Sequence, residues 1–296
     1  MLLRISTGTL ILLLAGCAGQ QEKTVTPPAV ATAYVVDTAP SQAAAEKSTT
    51  ASEVAKMPET EIKSSVAVTR KGAANEVDID YIMGKFEPVG HPDFVLIDQR
   101  YCSDGGMYLR KETYTAFQKM HAAALEAGIT LNIRSATRSF WHQKKIWEAK
   151  WNGGRLVDGK DLSKTITDPA QRALKILEYS AMPGASRHHW GTDIDLNELT
   201  NGHFEQGIGL KTYEWLKNNG AKYGFCQPYT AKGEKRPAGY NEEKWHWSYK
   251  PLSEKFTEIA REQLKDDMIK GFTGAETATK IGIVAKYVLG INQECF

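Results

Sequence analysis

Apolar residues recur at helical spacing from Lys111 to Ala127 (Tyr114, Phe117, Met120, Ala124), and Gly128 closes the run. This pattern predicts a helix with one buried face. The following stretch, Ile129 to Arg134, alternates apolar and polar and predicts a strand. The same reading predicts short strands over Phe94 to Asp98, Gly191 to Leu196, Lys222 to Cys226 and Lys244 to Tyr249. Helices are expected over Asp78 to Met83, Ser139 to Trp151, Asp168 to about Ala181, Leu210 to Asn219, Pro251 to Leu264 and Ala278 to Leu289. Asp168-Pro169 is a start signal, with an N-capping carboxylate followed by a proline in the first turn. Asn152-Gly153-Gly154 and Gly220 are stop signals. Helices and strands interleave without a regular strand–helix–strand repeat, which predicts an α+β domain rather than a doubly wound sheet.

The pattern fails before Val77. Residues 18 to about 75 are rich in Ala, Thr, Ser, Glu, Lys and Pro, with no sustained period. This composition predicts a disordered tether. Ahead of it, Arg4 and the apolar core Leu10–Leu14 have the form of an export signal too short to span a bilayer. Leu14-Ala15-Gly16-Cys17 resembles the lipobox of bacterial lipoproteins. The resemblance implies cleavage before Cys17 and lipid attachment there, which anchors the chain stably to a membrane. Ala18 resembles the sorting position of lipoproteins sent to the outer membrane. The expected division is a signal peptide over 1–16, a lipidated tether over 17–76 and a folded domain over 77–296. The expected location is the bacterial cell envelope, on the outer membrane facing the periplasm.

Composition narrows the function classes. The net charge of +2 with 24% charged residues gives no concentrated basic face, so no nucleic-acid partner is expected, and no protein partner is predicted. All seven Trp lie between Trp141 and Trp247, which places the folded core in that window. Besides Cys17, Cys102, Cys226 and Cys295 allow one disulfide and one free thiol, with the pairing open.

Two segments carry chemistry. One is Ser186-Arg187-His188-His189-Trp190-Gly191-Thr192-Asp193-Ile194-Asp195, the other Glu243-Lys244-Trp245-His246. Two imidazoles and a carboxylate supply three zinc ligands and leave a position for water, and a free Glu beside that water can take its proton. The first segment matches SxHxxGxxxD and the second ExWH, the motifs of the zinc D-alanyl-D-alanine carboxypeptidases of the vancomycin-resistance type. Upstream, Arg134-Ser135-Ala136-Thr137-Arg138-Ser139-Phe140-Trp141-His142-Gln143 resembles that family's SGYRSYxxQ. The resemblance covers about residues 95 to 255.

The resemblance implies one zinc ion held by His188, Asp195 and His246, with Glu243 as catalytic base. Arg138 and Gln143 are implied to hold the peptide end and polarise the scissile carbonyl, and Ser186 to contact substrate. It further implies a compact single catalytic domain whose small antiparallel sheet carries the ligands between flanking helices. The implied activity is metal-assisted removal of terminal D-Ala from peptidoglycan stem peptides. Trimming of tetrapeptides as an L,D-carboxypeptidase, crosslink endopeptidase action and dipeptidase action use the same chemistry. A non-catalytic wall-binding lipoprotein is the rival of a different class, and an intact ligand set with its Glu argues against it.

The residues leave several choices open. Counting by twos from Asp195 favours His189 as ligand, whereas the family motif selects His188, with Gly191 a possible break in the period. If residues 242–246 are one strand, Glu242 points with His246 and Glu243 does not, so choosing Glu243 requires a bend before Trp245. Trp245 and Trp247 are expected to face away from His246 into the core. Arg134 is the alternative to Arg138. Ser186 lacks the surroundings of a nucleophilic elbow. Asp193 departs from the small or apolar residue usual in the motif. Two residues before Asp195 on a strand it points the same way, as a carboxylate behind the ligands or as a partner for an Arg.

Overall fold

The structure is a computed structural model that describes residues 78–296. The export signal, Cys17 and the tether over 17–76 lie outside the described residues. The domain is α+β, with two small antiparallel sheets and flanking helices. Helix α1 (Ile79–Ile82) is capped by Asp78, whose carboxylate accepts from the Tyr81 amide. Strands β1 (Phe94–Leu96) and β2 (Tyr108–Arg110) pair antiparallel. Helix α2 (Lys111–Glu126) agrees with its predicted span to within a residue. Then follow β3 (Ile133–Ser135), α3 (Phe140–Trp151), α4 (Leu162–Thr165), α5 (Pro169–Ile176) and β4 (Asp193–Leu196). The chain continues through α6 (Gly207–Asn219), β5 (Phe225–Cys226), β6 (His246–Tyr249), α7 (Lys250–Gln263) and α8 (Thr277–Ile281).

The second sheet, in the order β3-β4-β6-β5, positions the chemistry. Its central pair runs antiparallel with Asp193 opposite Ser248, Ile194 opposite Trp247 and Asp195 opposite His246. Side chains alternate across a strand. Ile194, Leu196 and Trp247 therefore enter one core, with Phe117, Met120 and Leu216 from α2 and α6. Asp193, Asp195, His246 and Ser248 share the opposite face, all buried. A second core gathers Trp147 of α3, Ala173 and Ile176 of α5, Phe256 and Ala260 of α7 and Ile281 of α8. Cys226 is disulfide-bonded to Cys295, which ties the chain's last residues to β5, and Cys102 is free and buried.

Several elements differ from expectation for local reasons. The strand expected over Ile129 to Arg134 pairs only from Ile133, although Ile129, Leu131 and Ile133 are all buried as the alternation required. Asn132 instead bonds to Asn197, a residue with φ of 61°, and replaces the ladder there. The strand expected from Lys222 starts at Phe225, after a 3₁₀ turn over Gly220–Tyr223. The strand expected from Lys244 starts at His246, because the chain turns at Lys244 and Trp245. The helix after Asp168 is capped as expected, by a bond from the Gln171 amide, but ends at Ile176 rather than Ala181. The helix expected over Ala278 to Leu289 breaks at Gly282 (φ 77°), and a π-helical turn follows over Val284–Val288. Strand β2 was not anticipated.

Candidate metal centre and substrate cleft

His188 comes from a 3₁₀ turn, Arg187–Trp190, that precedes β4. The turn ends at Gly191 with φ of 72°, where a Cβ would lie 2.4 Å from the Phe94 ring. Only glycine permits both the backbone and the contact. Helix α1 braces this turn, since Trp190 Nε1 donates to the Ile82 carbonyl and Tyr81 Oη donates to the Trp190 carbonyl. This break in the strand period resolves the adjacent histidines. The His188 ring joins Asp195 and His246. The His189 ring lies elsewhere, fully buried, with Nδ1 against the Arg138 carbonyl at 2.6 Å and Nε2 accepting from the Gly184 amide at 3.0 Å. Burial pushes the His189 pKa down to about 3.

Ligand atoms of His188, Asp195 and His246 lie within 4.8 Å of one another, and all three residues are buried. Nε2 of His188 is 3.3 Å from Asp195 Oδ2, and Nδ1 of His246 is 3.3 Å from Asp195 Oδ1. The outward nitrogens are committed elsewhere. His188 Nδ1 is 2.8 Å from the Ala136 carbonyl, so it carries the proton there and leaves Nε2 with a lone pair. His246 Nε2 is 2.9 Å from Asp193 Oδ2, which leaves Nδ1 facing Asp195. His188 Nε2 and Asp195 Oδ1 are buried without a hydrogen-bond partner. Buried polar atoms are rarely left so. Two imidazoles and a carboxylate whose ligand atoms converge on one point fit a divalent metal of the zinc type.

Glu243 reaches the same point through the turn before β6. Its Oε2 is 3.1 Å from His246 Nδ1, and burial raises its pKa. Glu242 lies beside Tyr213, so the bend that favours Glu243 is present. Burial opposes charge on His246, yet the bonds to Asp193 and Glu243 hold its pKa up to about 10. Asp195 is disfavoured as an anion by burial, but His188 and His246 bring it down to about 2. Asp193 takes both roles open to it. It accepts from His246 and also from Arg187 Nε at 3.1 Å, Ser248 Oγ at 2.7 Å and Thr192 Oγ1 at 2.7 Å.

A cleft of about 520 Å³ opens onto these residues and is also lined by Arg138, Ser186, Tyr229, Tyr240 and Trp245. Arg138 faces Asp195 and Glu243, and burial lowers its pKa. Arg134 also lines the cleft but is exposed. Gln143 does not line it. Gln143 is fully buried in α3, and its amide donates to the Ala181 carbonyl at 2.8 Å, so it holds the cleft wall rather than facing into the cleft. Trp247 enters the core as expected, whereas Trp245 lines the cleft near Tyr179, because the turn at residues 244–245 breaks the alternation. Lys150, Tyr229 and Tyr240 were not anticipated as cleft residues. Lys150 alone carried a signal, standing four residues after Ile146 and eight after His142 on one helical face.

Residues 106–252, which contain every one of these motifs, match the family model described as VanY, D-alanyl-D-alanine carboxypeptidase. The chain belongs to this family. It is 28% identical over 171 residues to the putative carboxypeptidase YodJ of Bacillus subtilis strain 168, covering 56% of this chain and 55% of that protein. The chain spans about half the length of the curated relatives it matches. Among solved structures it is similar to VanYB in complex with D-alanine-D-alanine (TM-score 0.42, 24% identity, 59% of this chain and 87% of that one). It is also similar to the LdcB LD-carboxypeptidase (TM-score 0.44, 24% identity, 62% and 77%).

Proposed function

We propose that this VanY-family chain is a zinc-dependent D,D-carboxypeptidase that removes the terminal D-Ala from peptidoglycan stem peptides. One observation carries the reading. His188 Nε2 and Asp195 Oδ1, both buried without a hydrogen-bond partner, converge with His246 Nδ1 beside Glu243 at one end of a cleft. His188, Asp195 and His246 would hold one zinc ion. A bound zinc ion supplies acidity to a water and polarisation to a carbonyl. Glu243 takes the proton of the attacking water and passes it to the leaving amine. Arg138 donates to the carbonyl oxygen as charge develops, or to the free terminal carboxylate, and Ser186 contacts the peptide beside it. Gln143 keeps the Ala181 carbonyl, and with it the cleft wall, in place.

The N-terminal motif supports a lipid anchor on Cys17 and a site of action on the outer membrane facing the periplasm. The enzyme then works on the wall within reach of its tether. The test is incubation of the zinc-loaded protein with a stem pentapeptide ending in D-Ala-D-Ala, with products followed by mass spectrometry. Loss of one alanine, blocked by chelator and restored by zinc, is expected. Zinc-dependent cleavage of tetrapeptides or crosslinks alone would move the specificity to the L,D or endopeptidase reading. Failure to bind zinc would overturn the enzyme reading.

A further inference from the structure

The cleft holds more positive charge than the proposed reaction uses. Arg134, Arg138, Lys150 and Arg155 all line it, and among the described residues none of the four is in an ion pair. The carboxylates lining the cleft are Asp104, Asp195 and Glu243, and the last two face the metal site. A metal ion there would add further positive charge. A substrate with one terminal carboxylate answers Arg138 and leaves the Lys150 end uncompensated.

Lys150 is half-buried in the last turn of α3, where its ammonium donates to Ser180 Oγ. His142, Ile146 and Lys150 line the cleft from one face of α3. Eight residues of helix separate the outer two, about 12 Å along the axis. An extended peptide covers that length in about three to four residues. Burying an ammonium without an anion is unfavourable. Burial, then Arg155 and Arg138, bring the Lys150 pKa down to about 8 against the opposing pull of Glu243 and Asp158.

We propose that Lys150, assisted by Arg155, is a specificity subsite for a second substrate carboxylate, carried on a side chain upstream of the scissile bond. The proposal rests on the carboxypeptidase reading and names its substrate class, stem peptides with an acidic group on the third residue. The bond that forms is a charged hydrogen bond from Nζ, which retains its contact with Ser180 and gains the missing anion.

The test uses the zinc-loaded protein and two stem peptides that differ only at the third residue. One carries diaminopimelate, whose side chain ends in a carboxylate and an amine, and the other carries lysine. Dissociation constants come from calorimetry and turnover from product release. The expected result is about tenfold tighter binding of the diaminopimelate peptide, from one charged hydrogen bond. Lys150→Met removes that preference, Lys150→Arg retains most of it, and neither weakens binding of the lysine peptide. Equal binding of both peptides to the unaltered protein overturns the subsite. So does equal weakening of both by Lys150→Met. A peptide with a C-terminal amide separates the remaining source. If amidation abolishes the effect of Lys150→Met, Lys150 reads the terminal carboxylate and the side-chain assignment fails. The binding arm needs no cleavage, so absence of turnover overturns the carboxypeptidase reading alone.

Discussion

Asp193 Oδ2 lies 2.9 Å from His246 Nε2, on the side of the ring opposite the proposed metal site. The proton on that nitrogen is donated to the carboxylate, so Nδ1 is the ring atom left to face Asp195 and Glu243. Asp193 is itself held by Arg187, Ser248 and Thr192. The motif position that is usually small or apolar therefore fixes the orientation of a proposed ligand here.

Asp193→Asn keeps an acceptor for the ring but loses the charge. Zinc affinity is expected to fall about 10–100-fold, the usual range for loss of such a supporting group. Competition with a chromogenic chelator measures it. Asp193→Ala should in addition destabilise the fold by about 3–5 kcal/mol, because Arg187 is left buried without its carboxylate. Unchanged zinc affinity in Asp193→Asn would remove Asp193 from the positioning role.

Glu243→Gln should lower turnover at least about 100-fold, the lower end of the contribution of a positioned acid–base group. Bound zinc, counted by atomic absorption, should remain near one per chain. Retained turnover would exclude Glu243 as the base.

The adjacent histidines should separate cleanly. His188→Ala is expected to abolish tight zinc binding. His189→Ala is expected to leave the proposed ligands intact while costing about 2–4 kcal/mol, for a cavity and two lost partners in a fully buried position. Chelator competition and thermal unfolding distinguish the two.

The preference for an acid-bearing third residue should fade as pH rises through about 8, where Lys150 loses its charge. The sign follows from a cation that binds an anion only while protonated. Lys150→Arg should keep the preference across that range, since arginine remains charged. Dissociation constants of the two peptides between pH 6.5 and 9.5 measure this.

Reduction of the Cys226–Cys295 disulfide, or Cys295→Ser, should lower stability by about 2–4 kcal/mol, because the bond closes a loop with a sequence separation of 69. Zinc affinity should stay the same, since the proposed ligands come from β4, β6 and the turn before β4. Thermal unfolding with and without reductant, beside zinc titration, is the check.

Much of this protein is local in origin, and the sequence by itself determined that part. The helical period from Lys111, the Asp168 cap and the alternation of Ile194 with Asp193 and Asp195 each depend on neighbours a few residues away. Motif order singled out His188, Asp195, Glu243 and His246 in the same way. Tertiary structure alone decided what depends on distant partners. Phe94 presses on Gly191 and holds the turn that separates His188 from His189. Asn197 replaces the ladder at Asn132 and shortens the expected strand. Gln143 sits under the Ala181 carbonyl rather than in the cleft, and Trp245 joins the cleft because the chain turns before β6. Cys226 meets Cys295 rather than Cys102, and Lys150 reaches the cleft because α3 forms its wall. For Gly191, Asn132, Gln143 and Cys226 the partner lies tens of residues away, and no spacing within one segment can encode it.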